Sequence, residues 1–197
     1  MSTLFIDTSC GLTLGLADEN WNWKQFERDQ STKNSRVLFP KINTILEKEG
    51  LEAKDLSGLI IGSGPGSYTG VRLAEGLAQI WEYLGVETYS FYHFELPFIC
   101  GYESGVWYSR AFKGEMFCYS WDCDESEKEL VAEEDFSKKA NDKDMFTFEI
   151  DSPNIVSTID LIKNNGPQIL SYVWERKKKL APYYYRPPEK EFRPSMN

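Results

Sequence analysis

The first ninety residues alternate between short apolar runs and stretches with helical spacing. In the first helical stretch apolar residues recur at i, i+4, i+7 and i+8, which predicts a helix that is regular only after Pro40. The second helical stretch follows a glycine-rich loop, and Thr69 is its candidate N-cap. The predicted strands cover residues 4–9, 12–17, 21–28, 56–61 and 86–91, and the predicted helices cover residues 35–50 and 69–84. This order combines an antiparallel meander with parallel crossovers and is typical of an α/β fold.

Residues 97–105 are rich in turn formers and predict a boundary between two lobes, 1–97 and a smaller lobe over 98–197. The second lobe is predicted to contain strands over 106–112, 115–121 and 145–150, an acidic loop with a short helix or strand before the last of these, and helices over 154–163 and 168–179. The prolines of the tail at 182–188 exclude a helix and predict an extended segment over the surface. The sequence shows no internal repeat.

The composition is that of a globular protein with a substantial core. Hydrophobic residues make up 41% of the 197 residues, and no apolar run approaches the roughly 20 residues of a transmembrane helix. The first residues carry no basic region and Asp7 interrupts their apolar run, unlike a secretory signal, so we expect a cytoplasmic protein. The four cysteines, Cys10, Cys100, Cys118 and Cys123, form no C-x-x-C pair and predict reduced thiols without a zinc site or disulfide framework.

Charge is unevenly distributed along the chain. The net charge of −9 argues against binding a nucleic-acid backbone unaided, because such binding depends on Lys and Arg. Residues 122–144 carry a net charge of −6 and predict a solvated acidic stretch, whereas residues 175–197 carry +4. The basic run at 176–179 is typical of a solvated helix end, and it also allows a minor contact with RNA that a partner holds.

The glycine-rich loop joins the predicted strand at 56–61 to the second helix. Its sequence, Gly64-Pro65-Gly66-Ser67-Tyr68-Thr69-Gly70, would let backbone amides approach an anion at a helix N-terminus. The same glycines would suit a tight turn beneath a closely packed helix. The loop lacks the Lys that ends a P-loop and the glycine spacing of a dinucleotide-binding loop. Phosphate contact and a structural turn therefore both stay open as interpretations.

A second candidate site follows the first strand. A carboxylate and two hydroxyls in Asp7-Thr8-Ser9 could orient a hydrated metal ion and phosphate oxygens, and they could equally satisfy backbone amides at a turn. Nucleophilic catalysis has little support, because neither Ser67 nor any cysteine has an evident base. His93 is the only histidine, and its strand-like aromatic context favours a structural role. No catalytic residue and no metal ligand is predicted.

Several motifs together resemble the TsaB (YeaZ) family. They are Ile6-Asp7-Thr8-Ser9, the helix over 35–50 with its Pro40, Asp55-Leu56 through Gly62, the loop at 64–70 with Val71-Arg72-Leu73-Ala74, Lys113-Gly114-Glu115, and the tail Tyr183-Tyr184-Tyr185-Arg186-Pro187-Pro188-Glu189. The resemblance is dense over residues 1–90 and thin afterwards. It implies the actin-like ATPase fold of two ribonuclease-H-like lobes with mixed sheets, which agrees with the predicted order of elements.

The resemblance also implies a function. The family is the non-catalytic paralogue of the TsaD (Kae1-like) subunit in bacterial synthesis of threonylcarbamoyladenosine, the tRNA modification beside the anticodon. A scaffold or activating subunit is therefore implied, which binds a TsaD-like enzyme and through that complex a TsaE-like ATPase and tRNA, and which is a homodimer when alone. The implied helical interface contains Val37, Lys41, Thr44, Arg72, Ala74, Glu75, Gly76, Ala78 and Gln79. The residues implied to contact ATP or ADP, and then only in the complex, are Asp7, Thr8, Ser9, Gly64, Gly66, Ser67, Thr69 and Gly70.

Some positions depart from the family pattern. Asn34 stands where a histidine commonly precedes the first helix, and Arg110 replaces the acid of an Asp-Ala-Arg pattern. A cation at Arg110 cannot hold magnesium, and a single histidine cannot supply the His-x-x-x-His metal pair of the catalytic relative. Two alternative functions stay open: an independent ATP-using enzyme of the same fold, and an M22-type peptidase, a class with which the family was once grouped.

Overall fold

The computed structural model describes residues 2–30, 34–112, 114–123, 125–139, 143–148 and 154–185, which contain two five-stranded sheets. The first sheet is formed by β1 (Thr3–Asp7), β2 (Leu12–Ala17), β3 (Trp23–Asp29), β4 (Gly58–Gly62) and β5 (Glu87–Phe91). The second is formed by β6 (Ser104–Arg110), β7 (Glu115–Asp122), β8 (Glu125–Ala132), β9 (Met145–Thr147) and β10 (Ile155–Ser157). The helices are α1 (Asn34–Lys48), α2 (Tyr68–Tyr83), α3 (Leu96–Ile99), α4 (Glu133–Lys139), α5 (Thr158–Asn164) and α6 (Gly166–Glu175).

The two sheets have the same topology. The strand order is β3-β2-β1-β4-β5 in the first sheet and β8-β7-β6-β9-β10 in the second. In each sheet the first three strands in the chain pair antiparallel, and the last two extend the sheet in parallel. The repeat that is invisible in the sequence is therefore present in the topology, and the predicted mixed α/β architecture is confirmed. The halves differ in the length of one crossover, because β4 and β5 are connected by residues 63–86, which include α2, whereas β9 and β10 are connected by residues 148–154.

Alternation along the strands divides the buried side chains into layers. In β1, Leu4 and Ile6 point into a core with α1 and α2, whereas Phe5 points into a larger core on the opposite face. That larger core contains residues from both sheets and from α3, α5 and α6. Helix α6 also packs against β5, so the second half of the chain completes the packing of the first sheet. The lobe boundary near residue 97 stays a prediction.

Two details of the first half differ from the prediction. Helix α1 runs unbroken through Pro40, because four buried residues on one face hold both of its parts against the sheet. These residues are Leu38, Ile42, Ile45 and Leu46. The N-cap of α2 is Ser67 rather than Thr69, and the Ser67 hydroxyl accepts a hydrogen bond from the Gly70 amide at 3.3 Å.

The second half departs further from the prediction. The segment at 97–105 contains the short helix α3, and His93 lies in a 3-10 turn rather than a strand. The predicted helix at 154–163 begins only at Thr158 because the preceding residues pair with β9. Helix α6 ends at Glu175, and the acidic stretch forms β8 and α4. The motif residues Lys113 and 186–189 lie outside the described residues.

Candidate functional site

The glycine-rich loop packs directly on the chain that follows β1. A Cβ atom on Gly70 would overlap the carbonyl oxygen of Thr8, and one on Gly66 would lie 2.6 Å from the Ser9 carbonyl oxygen. Such distances exclude any side chain, so both glycines are required for this backbone contact. Gly64 and Gly70 are buried, while Ser67 and Thr69 are exposed at the start of α2. The structural-turn interpretation therefore accounts for these glycines without a ligand.

The polar groups of this contact bind one another. The Thr8 hydroxyl donates to the Gly70 carbonyl at 2.6 Å, and the Ser67 amide donates to the Ser9 carbonyl at 2.8 Å. The Ser9 amide donates to Asp7 Oδ1 at 2.9 Å. In this conformation these groups stabilise the junction between the loop and β1, and they form no open cradle for a phosphate.

A buried hydrogen-bonded chain links Asp7 to the second half of the protein. Asp7 Oδ2 lies 3.1 Å from His93 Nε2, and His93 Nδ1 lies 3.2 Å from the Thr158 hydroxyl at the start of α5. Burial alone would raise the pKa of Asp7, but the charge and hydrogen bond of His93 and the amide of Ser9 hold it below its usual value of 3.8. His93 is fully buried and hydrogen-bonded through both ring nitrogens, and its structural role stays a prediction. Among the described residues, no group of three or more His, Cys, Asp or Glu side chains is placed to hold a metal ion.

Residues 178–185 pass over the junction between the glycine-rich loop and the first sheet. We call these residues the C-terminal strap. The Ser90 amide donates to the Lys178 carbonyl, and the Tyr183 amide donates to the Ser63 carbonyl, each at 2.8 Å. The tail is extended as predicted, but Tyr183 and Tyr185 are half-buried and pack on the larger core rather than lying free on the surface. The strap therefore fastens the tail to the first sheet and covers the loop.

The basic run at 176–179, which overlaps the start of the strap, is largely engaged within the chain. Lys178 forms an ion pair with Glu95 at 2.8 Å, and Lys179 forms one with Glu82. The Arg176 guanidinium lies 3.8 Å from the centre of the Tyr172 ring. The sequence predicts a solvated helix end for this run, but the run follows the end of α6 at Glu175, and three of its four side chains contact other residues of the chain.

A cleft of about 280 Å³ lies beside the loop. It is lined by Gly66, Ser67, Tyr68, Ala111, Phe112, Tyr184 and Tyr185. The rings of Tyr68 and Tyr184 have centroids 4.8 Å apart, and the hydroxyls of Tyr185 and Ser109 are hydrogen-bonded at 2.5 Å. Aromatic side chains thus form most of the cleft's surface.

Comparison with known proteins supports the resemblance over part of the chain. No family model matches the sequence. Three proteins named "tRNA threonylcarbamoyladenosine biosynthesis protein TsaB" do match, from Haemophilus influenzae (37% identity over 82 residues), Escherichia coli (35% over 80) and Bacillus subtilis (35% over 81). The chain is a relative of the TsaB (YeaZ) family. Each match covers 40% of this chain and only 34–35% of the curated TsaB protein, about a third of its length.

Solved YeaZ structures extend the likeness to the whole fold. YeaZ from Pseudomonas aeruginosa has a TM-score of 0.63 at 16% identity, over 93% of this chain and 99% of that one. A Pseudomonas aeruginosa protein described as similar to peptidase YeaZ has a TM-score of 0.65 at 17% identity, over 94% and 99% of the two chains. At these identities the likeness concerns the fold, which is the actin-like, ribonuclease-H-like fold expected for the TsaB family.

The residues implied at a TsaB-type helical interface occupy different environments. Ala74 and Ala78 are buried against the sheet, where they allow α2 to pack closely. The Lys41 ammonium contacts Glu27 at 3.2 Å and Asp29 at 3.4 Å, and so fixes α1 to the edge strand β3. Residues that are exposed or half-buried on the helices are Val37, Thr44, Arg72, Glu75, Gly76 and Gln79.

Sequence reasoning missed the most exposed apolar residues of these helices. Phe39 is 51% exposed, Ile80 57%, Tyr83 90% and Leu84 70%; we call these four residues the α1–α2 apolar surface. Ile80 and Tyr83 face a different side of α2 from the buried residues Leu77 and Trp81. Their positions around the helix can be read from the sequence, and they could have indicated that Ile80 and Tyr83 are exposed. The described part of the chain also contains no helix with the length and apolar character needed to cross a bilayer.

Proposed function

We propose that this chain is a non-catalytic scaffold or activating subunit in tRNA threonylcarbamoyladenosine biosynthesis, acting in the cytoplasm. It binds a TsaD-like catalytic subunit, and through that complex a TsaE-like ATPase and tRNA. The names of the curated relatives support the pathway. Exposed apolar residues on two helices and the closed geometry of the glycine-rich loop support the role within that pathway.

The observation that carries the proposal is the α1–α2 apolar surface. Large apolar side chains that are half or more exposed on two adjacent helices mark a protein-binding surface, because their burial against a partner is favourable. Tyr83 is 90% exposed on α2 and is the natural anchor, since aromatic residues dominate binding energy at interfaces. Gly76 adds an open position, where even a Cβ would meet nothing within 4 Å and a partner helix can approach closely.

The geometry near the glycine-rich loop favours a supporting role over independent catalysis. Asp7 is hydrogen-bonded to His93, and Thr8 is hydrogen-bonded to Gly70, so neither side chain points to an open reaction site. Ser67 and Thr69 are exposed at the start of α2 and are the loop side chains available to ATP or ADP in the assembled complex. We therefore propose nucleotide contact only in that complex.

The test mixes the purified chain with the TsaD-like protein of the same cell and measures the complex by native mass spectrometry at micromolar concentration. The wild type is expected to form a complex, and Ile80→Asp is expected to raise the Kd at least tenfold because it buries a charge at the interface. Phe98→Ala is the matched control, because Phe98 is 60% exposed but lies on α3. Absence of a wild-type complex would contradict the proposal, as would ATP hydrolysis or peptide cleavage by the isolated chain.

A further inference from the structure

Three aromatic rings surround the ammonium group of Lys128 on the edge strand β8. The ammonium lies 4.5 Å from the centre of the Phe94 ring. It lies 5.1 Å from the ring centre of Tyr183 and 5.7 Å from that of Tyr119. A cation within about 6 Å of a ring centre is attracted by the electrons of the ring face. We call Phe94, Tyr119 and Tyr183 the aromatic cage, and the chain's own lysine shows that this cage accepts a cation.

The aromatic cage is assembled from three separate parts of the chain. Phe94 belongs to the turn after β5, Tyr119 to β7 and Tyr183 to the C-terminal strap. The centre of the Phe94 ring lies 4.7 Å from that of Tyr119 and 5.3 Å from that of Tyr183, so contacts among the rings themselves hold the cage together. Rings that are already ordered lose little conformational freedom when a ligand binds.

Lys128 occupies the cage through the rings alone. Lys128 is exposed on β8, and within the described part of the chain no carboxylate lies within ion-pair distance of its ammonium. A primary ammonium is strongly hydrated, and ring faces without an anion replace its hydration poorly. An alkylated ammonium is weakly hydrated and is the cation that cages of this kind bind best. The cage therefore suits an alkylated ammonium better than it suits Lys128.

The charge around the cage also favours a cationic ligand. Residues 122–144, which include Lys128, carry a net charge of −6. On β8 itself Glu125, Glu127 and Glu129 alternate with Lys128, and so lie on the other face of the strand. Acidic side chains at this distance attract cations to this side of the molecule without pairing with the group in the cage.

We propose that the aromatic cage is a binding site for an alkylated ammonium group, and that Lys128 occupies it in the free chain as an internal competitor. A quaternary ammonium compound and a methylated lysine side chain share this chemistry. Because Lys128 is tethered beside the cage, its effective concentration there is of millimolar order, and a ligand must displace it. The Lys128 contact is therefore autoinhibitory. This site is independent of the proposed function, since no cage residue belongs to the α1–α2 apolar surface.

The test titrates choline into the full chain and follows the methyl proton signal of choline by NMR, because a group above a ring face shifts upfield. Lys128→Ala removes the competitor and is expected to bind choline about tenfold or more tightly than the wild type does. Lys54→Ala is the matched control, because it removes the same charge from a lysine that contacts Glu52 rather than rings, and it should bind as the wild type does. Lys128→Gln is a second variant with the same expectation as Lys128→Ala.

Two further probes separate charge from shape and identify the source of the ligand. The neutral carbon analogue of choline, in which a tert-butyl group replaces the trimethylammonium group, should bind Lys128→Ala about tenfold more weakly than choline does, because it lacks the charge that the rings attract. A short peptide with one trimethyllysine is compared with choline. Tighter binding of the peptide assigns the cage to a side chain of another protein, and tighter binding of choline assigns it to a small molecule.

Three results would overturn this inference. They are equal binding of choline by Lys128→Ala and Lys54→Ala, equal binding of choline and its neutral analogue, and the absence of an upfield shift in a Lys128→Ala protein that keeps the wild-type thermal midpoint. The last result would mean that the rings serve only to hold Lys128. Each of these outcomes leaves binding of the TsaD-like partner unchanged, so failure here is distinguishable from failure of the proposed function.

Discussion

At the scale of single residues, the junction between β1 and the glycine-rich loop depends on two missing side chains. Gly70 touches the Thr8 carbonyl and Gly66 touches Ser9, so the backbone of the loop lies where side chains would otherwise separate the two segments. Gly76, six residues further along α2, has open space around its Cβ position. The same helix therefore contains one glycine that packing requires and one that packing does not require.

Gly70→Ala and Gly76→Ala form a matched pair of tests for this difference. Gly70→Ala should lower the free energy of unfolding by more than about 2 kcal/mol, because its methyl group overlaps a buried backbone carbonyl. Gly76→Ala should raise the free energy of unfolding by about 0.5–1 kcal/mol, the difference in helix propensity between the two residues. Urea denaturation measures both. A Gly70→Ala protein as stable as the wild type would show that the loop does not need this contact.

The Asp7–His93 pair predicts a specific pH dependence. The pKa of Asp7 in the folded chain lies below the ordinary value of 3.8, so the native state binds fewer protons at this site than the unfolded state does. The stabilisation of the fold by ionised Asp7 is therefore complete at a pH above the pKa of Asp7 in the unfolded chain. It is lost as the pH falls through the pKa of Asp7 in the folded chain. Asp7→Asn should cost about 2 kcal/mol at neutral pH, since it replaces the charged partner of a buried hydrogen bond.

The measurement compares the free energy of unfolding of wild type and Asp7→Asn from pH 7 downwards. The difference should be constant near neutrality and should shrink once the pH falls below about 4. A difference that persists unchanged in acid would mean that Asp7 stabilises the fold through its shape rather than its charge.

Residue-level reasoning from the sequence could propose roles but could not identify the contacting residues. The aromatic context of His93, the only histidine of the sequence, led to the prediction of a structural role, but nothing in the sequence identified Thr158, which lies 65 residues away. The N-cap is Ser67 rather than Thr69, so the helix begins two residues earlier than propensity indicated. Contacts between distant segments are set by packing, which local pattern does not encode.

At the scale of elements, the C-terminal strap joins parts of both sheets. Tyr183 packs between Tyr92, Phe94 and Phe117, with ring centroids 5.3, 5.3 and 5.6 Å away. The Lys128 ammonium on β8 lies 5.1 Å from the centre of the Tyr183 ring, a further contact between the strap and the second sheet. The strap thus stabilises the packing of the two sheets against each other, and the same contacts hold the strap in place.

Tyr183→Ala should lower the free energy of unfolding by about 2 kcal/mol, because a half-buried ring with three aromatic neighbours is removed. Tyr83→Ala is the matched control at a position that is 90% exposed, and its effect should stay within about 0.5 kcal/mol. Thermal or urea unfolding measures both. Equal effects of the two substitutions would mean that the strap does not contribute to the stability of the core.

Element prediction was accurate where periodicity was long and was poor in the short elements. β2 and α2 agree with their patterns to within a residue, whereas β10 and α3 are three and four residues long and have no pattern of their own. Helix α1 passes through Pro40 because its buried face outweighs the local penalty. The strap could be predicted as extended but not as buried.

At the scale of the whole molecule, the duplicated topology is asymmetric in its outer helices. The first sheet has α1 and α2 on its outer face, and these helices carry the α1–α2 apolar surface. Among the described residues, the outer face of the second sheet carries a smaller cluster of Val106, Tyr108, Met116 and Cys118, against which Phe136 of α4 packs. The first half is therefore the half with a surface suited to another protein. The sequence predicted both lobes, but it could not show that they share one topology.

The isolated chain should form a homodimer through the α1–α2 apolar surface, because exposed apolar residues on paired helices favour burial against a second copy. Sedimentation at increasing concentration should show a dimer for the wild type and a monomer for Ile80→Asp. The TsaD-like partner should compete with this dimer for the same surface. A dimer that persists in Ile80→Asp would place self-association elsewhere on the molecule.

Lys178 and Leu180 form hydrogen bonds along the edge of β5 that no other described strand pairs with, and this has a consequence during translation. Leu180 follows Ser90, its hydrogen-bond partner, by 90 residues. At translation rates of about 5–20 residues per second, β5 leaves the ribosome roughly 5–20 s before its cover is synthesised. During that interval a nascent chain exposes an unpaired strand edge, which is a template for aggregation. The strap that covers this edge is therefore translated well after the edge itself.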